Sequence, residues 1–164
     1  GSRKAEFNKS VEDLCRSGIS LQNSYTLDFK DTKLYGQRSE LKDNLKYIFK
    51  SKKFDFIFTH SGSDLHQDHR LISEITLELF RGPNIIAYEI PKFDGNPFRP
   101  NLYFGLNQQL AQKKVNHLMK HYKSQHDKIW YNSSTFEATM VLRGVEATKI
   151  FAEGFEVVKH IIEE

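Results

Sequence analysis

Phe54-Asp55-Phe56-Ile57-Phe58-Thr59, followed at once by His60-Ser61-Gly62-Ser63-Asp64-Leu65-His66-Gln67-Asp68-His69-Arg70, decides how this chain is read. The first six residues have the density of β-formers expected of a strand at the centre of a sheet. The next eleven hold three of the seven histidines and run into Leu71, Ile72, Ile75 and Leu79, an apolar stripe at helical spacing that Gly82-Pro83 ends. A strand that passes through a polar loop into a helix is where open α/β sheets bind their ligands.

Working outward, Phe7, Val11, Leu14 and Cys15 predict a helix over residues 3–17, stopped by Gly18. A short strand is expected around Tyr25 to Phe29, then a helix from about Gln37 to Lys50 with Leu41, Leu45, Ile48 and Phe49 as its stripe. Beyond the histidine loop come a strand from Asn84 to Ile90, a helix from about Asn107 to Tyr122, a helical segment from Thr135 to Arg143 and a closing strand from Phe155 to Ile161. Helices and strands alternate, so the expected class is α/β, with a mainly parallel sheet and right-handed crossovers. Pro91 to Pro100 carries three of the four prolines and reads as a lid or specificity loop, or as a rigid surface excursion.

At 164 residues the chain fits one domain, residues 1–164, large enough for a sizeable core. A net charge of +3, with basic residues scattered along the chain, shows no nucleic-acid footprint. No apolar run approaches the roughly 20 residues of a membrane span. Cys15 is a lone thiol, expected to be a small buried hydrophobe in a reducing, cytoplasmic setting.

In the loop, Asp64 or Ser63 can cap a helix starting near Leu65, which would set His66, His69 and Arg70 on one face of its first turn. Imidazoles there suit a divalent metal such as zinc, and Asp68 could accept the second ring proton of a neighbouring histidine. The same residues are also compatible with a plain helix start whose histidines are solvated. His60 reads equally as a ligand or as a residue at the edge of the core, and His117, His121 and His126 read as solvated helix positions.

The run from Thr59 to Arg70 resembles the Asp-x-His-x-Asp-His-Arg signature of the LmbE-like, or PIG-L, zinc-dependent N-deacetylases. Arg3-Lys-Ala-Glu6, Tyr122-Lys-Ser124-Gln125, and Arg143-Gly144-Val-Glu with Phe151-Ala-Glu-Gly-Phe155 are similar, in the same order, to further segments of that family. The resemblance implies a Rossmann-like three-layer sandwich and one zinc ion as cofactor. It implies that His69 is a zinc ligand, that His66 polarises the amide carbonyl, and that Asp68 fixes the tautomer of His66. Arg3, Asp64, Gln125 and Arg143 would contact the substrate, a small-molecule amino-sugar conjugate of N-acetylglucosamine type.

The family's Ala-His-Pro-Asp-Asp-Glu segment, which would supply two more ligands and a general base, has no counterpart in this sequence, nor do the strands and helix around it. The expectation is therefore a zinc-dependent hydrolase that removes an acetyl group from an amino sugar, lacking an amino-terminal piece here. The alternative is a non-catalytic sugar- or nucleotide-binding α/β module, or a subunit completed by a partner chain. Homo-oligomerisation is compatible with either.

Overall fold

The computed structural model describes residues 2–95 and 97–162, which fold as two compact units. Four strands, β1 (Phe56–His60), β2 (Asn84–Tyr88), β3 (Leu102–Leu106) and β4 (Phe151–Lys159), form a sheet in the order β1-β2-β4-β3. The helices are α1 (Ser2–Arg16), α2 (Arg38–Phe49), α3 (Gln67–Leu79), α4 (Gln108–His121) and α5 (Ser133–Glu146).

One unit, Phe29–Phe104 with Gly154–Glu164, holds the loop of interest. Its β1-α3-β2 segment is a parallel crossover, pairing Phe56 with Asn84 through to His60 with Tyr88. Ile85, Ile86 and Ala87 are buried, as expected of a strand with pairing on both edges. Leu71 and Ile75, one turn apart on α3, are fully buried and pack on Leu41 of α2, with Phe29, Leu34, Leu45, Ile72 and Leu79 around them. Cutting Leu71 to Ala should cost about 2–5 kcal/mol, because such a core relaxes only partly around a hole. Thr59 of β1 and Thr76 of α3 join their hydroxyls at 3.0 Å, so the strand and its following helix are pinned by a buried polar contact as well.

The other unit, Gly1–Asp28 with Gly105–Glu153, contains α1, α4 and α5. Asn107 caps α4 by accepting from the Leu110 N–H at 2.8 Å, and Asn132 caps α5 through the Thr135 N–H at 2.9 Å. Ala111 and Val115 of α4 then bury against Tyr131, Phe136 and Met140. Gly18, at φ +95°, closes α1 in a conformation that a side chain would oppose. Gly144 answers a different demand: a Cβ there would lie 2.6 Å from the Ile150 carbonyl oxygen and 2.7 Å from that of Lys149.

Four expectations need correction. The sheet is mixed: β1 and β2 run parallel, while β2 and β4 run antiparallel, with a bulge between Ile85 and Ile86. Residue composition does not encode strand direction; the path of the intervening connection does. Residues around Tyr25–Phe29 form no strand, although they are rich in β-formers, because β-propensity is a weak preference that tertiary context overrides. A strand not expected from the sequence, β3, follows the proline-rich stretch, of which Asn96 lies outside the described residues. Cys15 is exposed, since α1 turns Ser10 inward instead. Among the described residues no helix is long and apolar enough to cross a membrane.

Candidate functional site

The loop leaves β1 at His60, beside Tyr88 of β2, and enters α3 at Gln67. The helix starts two residues later than expected, because His66 is its N-cap: Nδ1 of His66 accepts from the Asp68 N–H at 3.3 Å. Asp64 closes the preceding turn, with Oδ1 accepting from the His66 N–H at 2.8 Å. Its other oxygen, Oδ2, meets Nδ1 of His69 at 2.9 Å and Nζ of Lys92 at 2.8 Å. Burial alone would raise the pKa of the Asp64 carboxyl. The Lys92 ammonium, the His69 ring and the His66 N–H outweigh that effect and hold it below the usual carboxylate range.

The three imidazoles stand together. His60 and His69 stack at 4.0 Å with planes 9° apart, and His66 lies 4.6 Å from His69. His60 is pushed down to about 4, first by burial and then by the neighbouring His69, so it is neutral at physiological pH. Its Nε2 faces the Tyr88 hydroxyl at 3.4 Å, while its Nδ1 is buried with no hydrogen-bond partner. Ser61 donates to Oε2 of Glu156 at 2.9 Å, fastening the loop to β4.

Hydrogen bonding sorts the two central histidines chemically. Because Nδ1 of His66 accepts from a backbone N–H, the neutral ring carries its proton on Nε2 and is a donor there. Nδ1 of His69 faces a carboxylate, which leaves Nε2 as its lone-pair atom, the usual arrangement of a metal-binding imidazole. Asp68 reaches His66 only through its main chain. Its Oδ2 accepts from the Thr32 N–H at 2.7 Å, and its Oδ1 is buried without a partner. Arg70 turns back onto the loop and donates to the Asp64 carbonyl at 2.9 Å.

A hydrolytic zinc takes three protein donors. The loop presents one oriented imidazole, at His69, with Asp64 already paired behind it. Among the described residues no three His, Cys, Asp or Glu donors converge in this unit. The loop residues alone therefore do not form a zinc site.

The other residues singled out from sequence lie in the second unit and are described there. Arg3 is exposed on α1. Three residues further along the same helix, Glu6 accepts from the Ser124 N–H at 2.8 Å and from its hydroxyl at 2.6 Å. Gln125 is half-buried and donates to Ser124 Oγ at 2.9 Å. Arg143 is buried on α5, where it pairs with Glu146 at 2.7 and 3.0 Å. Sequence reasoning missed Lys92 and Glu156. Lys92 follows a proline in an irregular stretch, and Glu156 is one of two acidic residues along β4. Only the meeting of distant segments marks either one.

Residues 1–80 match the family described as PIG-L, GlcNAc-PI de-N-acetylase, and that segment includes the whole histidine loop. The amino-terminal half of this chain is PIG-L-like. No curated protein matches the chain in sequence. Among solved structures, N,N'-diacetylchitobiose deacetylase from Pyrococcus horikoshii superposes with a TM-score of 0.73 at 20% identity, over 94% of this chain and 62% of its own. The conserved protein TT1542 from Thermus thermophilus gives 0.69 at 19% identity, over 99% and 75%. GalB, a 4-carboxy-2-hydroxymuconate hydratase from Pseudomonas putida, gives 0.67 at 17% identity, over 99% and 73%. The chain thus spans 62–75% of the length of these structures, and identities this low establish the shared fold alone. A deacetylase and a hydratase on one fold show that chemistry has to be read from the site.

Proposed function

We propose that the PIG-L-like segment serves a deacetylase-type hydrolase that removes an acetyl group from an N-acetylated amino sugar. The observation that carries this reading is the division of labour in the loop. His69 is backed by the buried carboxylate of Asp64, and His66, 4.6 Å away, is held in the tautomer that donates from Nε2.

Amide hydrolysis needs a polarised carbonyl and an activated water. In this reading His66 donates Nε2–H to the carbonyl oxygen and holds the oxyanion of the tetrahedral intermediate. Asp68 keeps His66 in that tautomer through its N–H, and Lys92 and Asp64 hold the loop rigid around it. Zinc belongs to the proposal with His69 as one ligand, and Arg3, Gln125 and Arg143 belong to it as substrate contacts. The alternative, a binding module or a subunit completed by a partner chain, draws on the fact that the loop does not gather three donors.

The test is acetate release from an N-acetylglucosamine conjugate, followed with zinc added and with chelator, for the parent, His66→Ala and His69→Ala. The expected result is chelator-sensitive release. His66→Ala should lower turnover by roughly 10²-fold while zinc content is kept, and His69→Ala should lower both. A folded parent that releases no acetate in the presence of zinc, yet binds the sugar, would favour the binding module.

A further inference from the structure

The helical unit contains a second group of metal-ligand chemistry, on residues that the family reading does not use. His117 and His121 lie one turn apart on α4, and their rings are 4.5 Å apart. Histidines at this spacing share a helix face and chelate one ion. Asp13 of α1 completes the set. Its Oδ2 is 2.8 Å from Nε2 of His121 and 3.8 Å from Nδ1 of His117. Ligand atoms of the three residues all fall within 4.8 Å of one another. Sequence reasoning placed both histidines in solvent, but their side chains are only 19% and 9% exposed.

The surroundings favour a cation. Ser10, buried on α1, meets Nε2 of His117 at 2.7 Å. With the hydroxyl accepting from Nε2–H, Nδ1, on the Asp13 side, is the lone-pair atom. A hydroxyl behind a ligating imidazole is the kind of outer contact that orients ligands in metal sites. A groove of about 650 Å³ lined by Asp13, Gln112, Lys113, Asn116, His117 and Lys120 opens on the cluster, so an ion and its water can enter. Lys120 holds the same oxygen of Asp13 at 2.9 Å, but its side chain is 63% exposed and can swing into solvent. Two imidazoles and one carboxylate suit zinc or a similar transition-metal ion. Calcium and magnesium prefer all-oxygen shells.

We propose that Asp13, His117 and His121 form a divalent transition-metal site, with water as the remaining ligand, which clasps α1 to α4. An ion there joins two helices far apart in sequence, so it stabilises the folded unit by mass action.

The test uses the full chain stripped of metal by chelator. Zinc is titrated by calorimetry, and cobalt is followed by its visible absorption at neutral pH. The expected result is a site of micromolar or tighter affinity that does not depend on His69, a tetrahedral cobalt spectrum and a rise in Tm with zinc. The cobalt band should vanish in His117→Gln and in His121→Gln, and survive in His69→Ala. Lys120→Ala, a change at an exposed side chain, should tighten zinc binding about threefold by removing the competing ammonium. Zinc binding that persists in both histidine variants but is lost in His69→Ala would overturn the proposal. So would the absence of any cobalt band in the parent and in Lys120→Ala.

Discussion

Nζ of Lys92 and Oδ2 of Asp64, from residues 28 apart in sequence, lie 2.8 Å apart with both side chains almost fully buried. The pair ties the start of the proline-rich stretch to the histidine loop, and Asp64 in turn orients His69. One carboxylate thus organises the loop's turn, a ring and a neighbouring segment.

Removing the cation from such a pair leaves a buried charge only partly compensated. Lys92→Met should destabilise the protein by about 3 kcal/mol in chemical denaturation. A cost under about 0.5 kcal/mol, typical of exposed pairs, would show that water reaches the pair freely.

His66 has two separable tasks. As the N-cap of α3 it is replaceable by another acceptor, whereas as a ring donor it is not. His66→Ala should cost about 1 kcal/mol of stability, and His66→Asn should recover most of that. Neither variant should restore acetate release. Thermal unfolding of the two beside their activity separates the tasks, and full activity in His66→Asn would remove the ring from the chemistry.

Gly144 should tolerate no side chain. An added methyl group would overlap two backbone carbonyl oxygens of the turn into β4, and neither can move without breaking that turn. Gly144→Ala should lose about 3 kcal/mol or fail to fold, the upper end of overpacking costs. Near-wild-type denaturation would mean that the turn is free to shift.

Glu78 on α3 accepts from Lys42, at 2.7 Å, and from Arg38, both on α2. Those bonds, Lys42 first, hold its carboxyl below its ordinary 4.5. A carboxylate with a lowered folded pKa adds stability above its unfolded value, and that stability fades as pH falls through the folded one. Glu78→Gln should therefore lower Tm slightly at pH 7, and the difference should shrink as pH falls below 4.5 and through the folded pKa. A difference that is constant down to pH 3 would assign the effect to packing.

Much of the fold was legible because apolar periodicity reports local structure. Leu110, Val115, Leu118 and Met119 mark a helix expected from Asn107 to Tyr122, and α4 runs Gln108–His121 with those two residues as its caps. The four-stranded α/β sheet was legible in kind but not in direction. β4 returns antiparallel to β2, and β3 escaped notice behind the prolines, since pairing depends on partners distant in sequence.

The sequence by itself determined that a strand, a histidine-rich loop and a helix follow one another, and that the loop resembles a PIG-L signature. Those are consequences of residue order, which fixes side-chain periodicity and motif chemistry. Only the tertiary structure decided what each loop residue does. It set Asp64 behind His69, gave Asp68 to Thr32, buried Lys92 against Asp64, and brought Asp13 of α1 beside two histidines of α4. The physical reason is the short range of these interactions: hydrogen bonds and ion pairs act over about 3 Å, and a chain brings distant residues that close only by folding.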